Sequence, residues 1–536
     1  MARRSFWGWG YEGAGLTADE VSALGAMLAA RLGVDAPRPI APPRLEDVRL
    51  SPARLDVPDA LAGLVRADAF SRASHTYGKA FRDVVRGLEG DFAAAPDAVA
   101  FPASEADVVR LLDFCDGARV AAIPYGGGSS VVGGVEARLP KGAYRGALSI
   151  DLGALDQVLE VDATSRAARV ACGILGPALE AALRPHGLTL RHYPQSFEVS
   201  SLGGWIVTRA GGHFATLATR IDDAVEAVRL VTPTGVLATR RLPSSGAGPA
   251  PERLVLGSEG ALGIVTEAWV RLHARPRHRA SATARFGDFF RAADAARGLA
   301  QAGLYPSNCR VLDADEALQS GAGDGTEHLL LVGFESADHG VEPWLDRALE
   351  IVRDAGGVVV PGSRKVRAGD EGERDGRAGA WRAMFLRAPY LRDALVTLGY
   401  VVETFETAVT WDRFEPFCRA VRARAERAVR EIARAGLVAC RVTHVYPDGA
   451  APYFTVVARG SEAGRVAQWD AIKAAVTEAI VDEGGTVTHH HAVGRDHMPG
   501  YVRERSPAFA RALAAVKREL DPNAVMNPGV LVPLTG

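Results

Sequence analysis

A glycine-rich stretch, residues 124–134, carries the clearest chemical signal in this sequence. It reads PYGGGSSVVGG and follows an apolar run, residues 120–123, that is typical of a buried strand. Three consecutive glycines allow a tight turn and a close approach to a ligand. Their N–H groups can form a concave nest for an anion, and two serine hydroxyls stand beside them. The stretch predicts a pyrophosphate-binding loop, with a plain structural turn as the alternative.

Two more clusters of glycine and hydroxyl residues follow this first loop. Residues 193–212 read YPQSFEVSSLGGWIVTRAGG, and residues 257–267 read GSEGALGIVTE. The first loop is neither a Walker A loop nor a GxGxxG turn that opens a helix. Three such loops in one region of alternating strands and helices are what a large dinucleotide requires. One loop can hold its pyrophosphate, and the others can line the rest of the molecule through backbone contacts.

A third set of candidates lies near the end of the chain, where three histidines are adjacent at 489–491. Imidazoles near neutral pH suit general acid–base catalysis or phosphate contacts. They could instead hold a metal or have a structural role. On a strand, consecutive side chains point to opposite faces, so only His489 and His491 would converge. Because no carboxylate or further histidine adjoins the run, we predict no metal site. Tyr453, in an apolar strand, reads by default as a core residue.

Length and composition bound the class of protein. The chain has 536 residues, enough for two or three domains, with 48% apolar and 24% charged residues. A net charge of -2 gives no reason to expect a nucleic-acid partner. Five scattered cysteines argue against a disulfide framework and fit a reducing compartment. No apolar stretch approaches the ~18 residues of a membrane span. Residues 3–4 are a pair of arginines, but no apolar region follows, so we expect a cytoplasmic protein.

The pattern of apolar residues divides the chain into three parts. Residues 1–91 are a helical leader, in which Thr17 and Glu20 form a capping box and residues 71–86 read as a helix. Residues 92–275 alternate strands and helices. Beyond 275, strands at 281–286, 309–312 and 328–334 alternate with helices, and a charged, glycine-containing stretch at 364–377 predicts an exposed loop. Long helices are predicted at 412–435 and 461–482.

The three glycine clusters, in their order and spacing, resemble the FAD-binding domain of the vanillyl-alcohol oxidase superfamily. The resemblance implies an α+β protein: a PCMH-type FAD-binding domain of two α+β subdomains at 92–275, then a substrate-binding cap at 276–536 with an antiparallel sheet flanked by helices. No histidine lies in the first glycine loop, so the implied FAD is non-covalent. The implied cofactor-binding residues are Pro124, Tyr125, Gly126, Gly127, Gly128, Ser129, Ser130, Gln195, Ser196, Ser200, Ser201, Gly204, Thr208, Arg209, Ala210, Gly211, Glu259, Gly260, Ala261, Leu262, Gly263, Ile264 and Val265.

Two families within this superfamily fit the last part of the chain. FAD-dependent 2-hydroxyacid dehydrogenases carry a GHxGDGNxH segment, whose histidines hold a divalent metal, and a later EHGxG. Here residues 443–454 read THVYPDGAAPYF, with Tyr453 about where the second metal histidine should be, and residues 488–494 read THHHAVG. Both departures resemble the alkyldihydroxyacetonephosphate synthase family, which exchanges the acyl group of acyl-dihydroxyacetone phosphate for a fatty alcohol. His444 and the tail at 521–529, DPNAVMNPG, keep a D-lactate or glycolate dehydrogenase as the alternative.

Further segments resemble the synthase family, including WGWGY at 7–11, YLRD at 390–393 and SNCRVLD at 307–313. The resemblance implies a transferase of ether lipid synthesis without net redox chemistry. Carried over position by position, it implies that Tyr453 is the catalytic acid/base and that Arg310 is needed for activity. It also implies that Arg392 anchors the substrate. The implied active-site histidines are His489, His490 and His491.

The implied partners are a lipid-like phosphate substrate and a fatty alcohol, in a homodimer, with peripheral membrane contact left open. Gln195, where that family has aspartate, and Ala492, where it has glycine, leave the exact substrate open. A flavin-binding scaffold without turnover is a third reading.

Overall fold

Four sheets organise the part of the chain that the computed structural model describes, residues 3–214, 216, 219–369, 376–461 and 464–534. Three of them lie before residue 275, and a nine-stranded sheet follows. The helices and strands of the first part are α1 (Ala18–Leu32), α2 (Asp59–Ala62), β1 (Val65–Arg66), α3 (Ala69–Ser74), α4 (Phe81–Leu88), β2 (Ala98–Ala100), α5 (Glu105–Ala118), β3 (Ala121–Tyr125), β4 (Ala147–Asp151), β5 (Val158–Asp162), β6 (Ala167–Ala171), α6 (Gly176–Leu183), β7 (Leu188–Thr189), α7 (Leu202–Thr208), β8 (Val225–Thr232), β9 (Gly235–Ala238), α8 (Glu252–Val255), β10 (Ile264–Arg271) and β11 (His273–Ala274).

Two sheets of this first part position the glycine clusters. One has the order β1-β2-β4-β3, with β2, β4 and β3 parallel, and the first glycine loop leaves the end of β3. The other is antiparallel, in the order β5-β6-β10-β8-β9. The third glycine cluster enters β10 of that sheet, and the second contains α7, whose N-cap Ser201 accepts a hydrogen bond from the N–H of Gly204. Each cluster therefore adjoins or contains a regular element of the fold.

The second part is built on the nine-stranded sheet and confirms the predicted antiparallel cap flanked by helices. Its main path runs β15-β12-β14-β13-β19-β20-β17. The remaining two strands pair at its margins, β16 with β12 and β18 with β20. Its elements are β12 (His278–Phe286), α9 (Phe289–Gln301), β13 (Asn308–Leu312), α10 (Ala314–Gln319), β14 (His328–Ser336), α11 (Glu342–Asp354), β15 (Val358–Val359), β16 (Lys365–Ala368), α12 (Gly376–Thr397), β17 (Tyr400–Glu406), β18 (Val409–Thr410), α13 (Trp411–Ala428), β19 (Gly436–Val445), β20 (Gly449–Arg459), α14 (Arg465–Asp482), α15 (Met498–Glu504) and α16 (Pro507–Leu520).

The register at one end of this sheet brings three strands together around Tyr453. Strands β19 and β20 form a hairpin in which Arg441 lies opposite Tyr453. On the other side of β20, Glu406, the last residue of β17, is also opposite Tyr453. Directly opposite residues on antiparallel strands have Cβ atoms about 5 Å apart. The pairing thus sets a cation and an anion on either side of the tyrosine.

The leader contributes to the core of the second part. Phe81 of α4 is 2% exposed, and its ring stacks on that of Trp469 in α14, with centroids 6.0 Å apart. The predicted capping box of Thr17 and Glu20 is present. The predicted single helix at 71–86 is wrong, because α3 and α4 are separate.

Three other sequence predictions in the cap are corrected by the structure. Residues 365–368, expected within an exposed loop, form β16, while residues 370–375 lie outside the described part. The helix predicted at 412–435 ends at 428 and continues as a π-helical turn, Val429–Ala433. The histidine run is a bend between α14 and α15 rather than a strand. Within the described ranges, no helix combines the length and apolarity needed to cross a bilayer.

Truncating Phe454 should destabilise the chain strongly, because this side chain of β20 is 0% exposed and lies in the large core of the cap. We expect Phe454→Ala to lower the free energy of unfolding by about 3–5 kcal/mol. The measurement is the midpoint of urea unfolding. Phe509→Ala is the control, since Phe509 is 54% exposed. Equal midpoints for the two variants would contradict this packing.

Candidate active site

The histidine loop, residues 488–494, brings together imidazoles that the sequence did not predict to meet. Nδ1 of His489 lies 3.0 Å from Nδ1 of His490. His444, on β19, joins them, and one ring nitrogen from each of the three lies within 4.8 Å of the others. The prediction that only His489 and His491 converge is therefore wrong. It assumed the alternation of a strand, whereas the chain bends at each of these residues.

Most of these ring nitrogens already have hydrogen-bond partners. Nε2 of His444 lies 2.9 Å from the carbonyl oxygen of Gly212, so this nitrogen carries the proton and donates. Its Nδ1 lies 3.0 Å from the hydroxyl of Thr443. Nε2 of His489 lies 2.8 Å from the hydroxyl of Tyr446. A trio of imidazoles is a donor set that a metal could use, and the absence of a metal stays a prediction.

Burial keeps these histidines neutral. It lowers the pKa values of His444, His489 and His490 well below the ordinary value, because a charged imidazole would lose its hydration. Neighbouring imidazoles and the cation of Arg220 lower the pKa values of His489 and His490 further. Burial also lowers the pKa of His491, although the carboxylate of Glu406 opposes this shift. Neutral imidazoles can accept protons at neutral pH.

Tyr453 faces the histidine loop from β20. Its ring is stacked on that of His490 with centroids 6.1 Å apart, and it meets the ring of His491 edge-on at 5.8 Å. The guanidinium of Arg441 lies 3.8 Å from the centroid of the Tyr453 ring. Burial raises the pKa of Tyr453, with the charge of Arg441 opposing the shift. The phenol therefore keeps its proton at neutral pH and can donate it.

Arg310 lies on β13, which pairs with β19, and is 1% exposed. It donates to the carbonyl oxygen of His213 at 2.5 Å and to Asn308 at 3.2 Å. Burial and the charge of Arg441 lower the pKa of Arg310 to about 9, so it remains a cation at neutral pH. Its charge also lowers the pKa values of His444 and His490. The guanidinium groups of Arg310 and of Arg441, whose side chain is 11% exposed, lie beside neutral imidazoles and suit an anionic group such as a phosphate.

Arg392 has a different setting from Arg310. Its guanidinium pairs with Asp393 at 2.9 Å, donates to the carbonyl oxygen of Lys79 and lies 5.8 Å from the ring centroid of Trp9. Among the described contacts of Arg392, none involves the histidine loop. A carboxylate holds this guanidinium, as Glu316 holds that of Arg441, and the role of Arg392 as a substrate anchor stays a prediction.

The three glycine clusters meet at the first glycine loop. The carbonyl oxygen of Val199 occupies the position that a Cβ at Gly127 would need, and a Cβ at Gly260 would lie 2.9 Å from Cγ of Pro124. In the described part of the chain, the N–H groups of residues 126–129 have no protein acceptor. The buried hydroxyl of Ser258 also finds no partner there. Free donors around a close backbone approach fit the predicted pyrophosphate.

The other predicted cofactor residues surround this junction. Nε2 of Gln195 donates to the carbonyl oxygen of Phe385 at 2.9 Å, and the carboxylate of Glu259 is bonded to the histidine loop. The rest fall into buried and partly accessible positions, and their contacts with FAD stay predictions. Those buried are Tyr125, Gly128, Ser200, Ser201, Ala210, Gly211, Glu259, Gly260, Ala261, Leu262, Gly263, Ile264 and Val265, and those more accessible are Pro124, Gly126, Gly127, Ser129, Ser130, Gln195, Ser196, Gly204, Thr208 and Arg209.

The second glycine cluster also touches the histidine loop. A Cβ at Gly211 would lie 3.0 Å from Cβ of His490 and 3.5 Å from Cε1 of His444. The predicted cofactor loops and the candidate catalytic groups therefore lie side by side. Sequence reasoning missed two contributors, Tyr446 and Arg441. Tyr446 was visible inside the segment that carries His444, and Arg441 follows from the hairpin register opposite Tyr453.

Gly127→Ala should abolish binding of the expected FAD, because a methyl group at this position would collide with the backbone at Val199 and Ser200. The measurement is the flavin absorbance per protein after purification. Gly246→Ala is the matched control, since no atom lies within 4 Å of a Cβ there. Full flavin content in Gly127→Ala would show that the loop does not pack as described.

Comparison with protein families agrees with this architecture. The FAD binding domain family matches residues 96–240, which contain the first two glycine clusters. The family of FAD linked oxidases, C-terminal domain, matches residues 275–531, which contain Tyr453 and the histidine loop. Together with the nest of free N–H groups, these matches identify FAD as the cofactor of this chain.

Whole-chain relatives narrow the family. Alkyldihydroxyacetonephosphate synthase of Dictyostelium discoideum is 30% identical over 495 residues, covering 88% of this chain and 78% of the relative. The enzyme of the same name from Trypanosoma brucei brucei is 29% identical, with the same coverage. A solved structure of alkyldihydroxyacetonephosphate synthase superposes with a TM-score of 0.78 at 25% identity, covering 98% of both chains. The chain belongs to the alkyldihydroxyacetonephosphate synthase family.

Proposed function

We propose that this chain is an FAD-dependent alkyldihydroxyacetonephosphate synthase. It would exchange the acyl group of acyl-dihydroxyacetone phosphate for a fatty alcohol, as a step of ether lipid synthesis. The observation that carries the proposal is the position of Tyr453, a buried and protonated phenol stacked beside His490. A 2-hydroxyacid dehydrogenase would have a metal-binding histidine about there. The names of the relatives support the same reaction.

The residues suggest a division of the proton transfers. FAD, bound without a covalent link, would supply in its reduced form an electron-rich ring nitrogen that can act as a nucleophile. A neutral imidazole of the histidine loop accepts the proton that leaves C1 of the substrate and returns a proton to that carbon once the alcohol has entered. Tyr453 donates its phenolic proton to the departing carboxylate and can recover one from the entering alcohol. The sum is an exchange without net oxidation or reduction.

The phosphate of the substrate fits the guanidinium groups of Arg310 and Arg441. Arg310 is held by His213 and Asn308, and Arg441 is held by Glu316 at 2.5 Å, so neither cation has to be ordered on binding. Arg392, over Trp9, stays the second candidate for a substrate contact. We also propose a cytoplasmic homodimer with peripheral membrane contact, which rests on the family resemblance and on the long-chain substrates.

The experiment is anaerobic mixing of the purified flavoprotein with palmitoyl-dihydroxyacetone phosphate and hexadecanol, followed by mass spectrometry of the lipid. An ether product together with free palmitate, with no electron acceptor present, is the expected result. Bleaching of the flavin by lactate or glycolate without ether formation would favour the dehydrogenase. A flavoprotein that does neither would favour the scaffold.

Tyr453→Phe should lower the rate of the exchange reaction by about 100-fold or more, because a proton donor contributes about 10²–10⁴-fold to such a step. The flavin absorbance should be unchanged. Tyr305→Phe is the control, since Tyr305 is 50% exposed. Ether formation by Tyr453→Phe at the wild-type rate would remove this residue from the mechanism.

The pH profile of kcat/KM should show its acid limb below pH ~6.5, the ordinary pKa of histidine. The pKa values of His489 and His490 lie well below that value, so these bases lose activity only when the pH falls further. Flavin absorbance over the same range checks that the holoenzyme stays intact. An acid limb at or above pH ~6.5 would contradict neutral, buried imidazoles.

A further inference from the structure

Two buried carboxylates from different parts of the fold converge on the backbone of the histidine loop. The first is Glu406, the last residue of β17, which is 2% exposed. It accepts hydrogen bonds from three consecutive backbone N–H groups, those of His489, His490 at 2.9 Å and His491 at 2.8 Å. The hydroxyl of Thr488 donates to it as well, at 2.5 Å. Each carboxylate oxygen thus receives two donors.

The second carboxylate is that of Glu259, in the third glycine cluster. It is 8% exposed and accepts from the N–H groups of Val493 at 2.8 Å and Gly494 at 2.7 Å. The side-chain amide of Asn527 donates to the carbonyl oxygen of Glu259 at 2.8 Å. The flavin-binding part therefore holds one end of the loop, while the cap sheet holds the other.

This arrangement is a protein-made anion nest. Successive N–H groups that turn toward one point attract a negative charge, and here a side chain of the same chain supplies it. A carboxylate removed from water is costly unless several donors replace its hydration, and N–H donors to a charged oxygen are about twice as strong as neutral pairs. In the described residues, the N–H groups of His489 and His490 have no other acceptor, and that of His491 has only the hydroxyl oxygen of Thr488, at 3.2 Å, as a second one. The carboxylate thus fixes this bend.

The position of Glu406 links the loop to the rest of the site. It lies opposite Tyr453 across β17 and β20. Its oxygens are 3.5 Å from Nδ1 of His490 and 3.4 Å from Nδ1 of His491. One side chain therefore sets the distance between the tyrosine and the imidazoles.

We propose that Glu406 and Glu259 are positioning residues that hold the three histidines in register with Tyr453 and with the flavin-binding loops. The anchoring of the loop follows from the contacts alone. Its kinetic consequence rests on the proposed function.

The first test uses the holoenzyme as it is and measures amide hydrogen exchange by mass spectrometry. The amides of residues 489–491, 493 and 494 lie in a loop, yet we expect them to exchange slowly because carboxylates hold them. Exchange as fast as that of an unstructured loop would overturn the proposal. This measurement needs no variant, so it stands even if a substitution prevents folding.

The second test substitutes the carboxylates. In Glu406→Gln, either orientation of the amide places its NH₂ group against an N–H donor of the loop. We expect the amides of 489–491 to exchange about tenfold faster or more, and kcat to fall about tenfold or more with KM within about twofold and flavin absorbance retained. Glu259→Gln should accelerate exchange at 493 and 494. Glu415→Gln, on the exposed face of α13, is the control.

The outcomes separate this proposal from the proposed function. If the loop amides exchange slowly in the wild type and equally slowly in Glu406→Gln, the anchoring is overturned, whatever the enzyme activity. An unchanged kcat despite faster loop exchange would overturn the positioning role. A wild-type protein that makes no ether but whose loop amides respond to Glu406→Gln would overturn the synthase reaction alone.

Discussion

Removing a carboxylate from water costs several kcal/mol unless hydrogen-bond donors replace the lost hydration. At Glu406 those donors are the peptide groups of the histidine loop, so the loop and the carboxylate stabilise each other. Because Glu406 ends β17 beside Tyr453, the same interaction relates the loop to the cap sheet. The geometry of the imidazoles is therefore a consequence of satisfying one buried charge, and no regular secondary structure is needed to define it.

Dehydration of the site also sets its protonation states. The same burial that keeps His489 and His490 neutral keeps the phenol of Tyr453 protonated and makes Arg310 a weaker base than a free guanidinium. Burial thus gives the site a proton acceptor, a proton donor and a cation from ordinary side chains. Arg441, which pairs with Glu316, opposes the effect of burial on Tyr453, because the charge of Arg441 favours ionisation of the phenol.

Local signals in the sequence predicted the parts of the fold that depend on local physics. Apolar periodicity located most strands and helices, and the glycine clusters indicated three loops that meet in the structure. The histidine loop could not be predicted, because its shape depends on a carboxylate 83 residues earlier in the chain, at Glu406. Arg441 was predictable in principle from the hairpin, although a register shift between Val442 and His444 obscures the pairing. The sequence around Phe81 did not show that this side chain is buried in the core of the cap, far along the chain.

The stacking of Phe81 on Trp469 joins two segments that are far apart in the chain, and this affects the order in which the chain can fold. The flavin-binding part is inserted, in sequence, between two pieces of one hydrophobic core. During synthesis, α4 emerges hundreds of residues before the helix that covers it, so its apolar face must wait while the intervening part folds. The loop-closure entropy of joining the two pieces is reduced once that part is compact, because its ends are then fixed. A flavin-binding part that folds early would therefore act as an internal template for completing the cap.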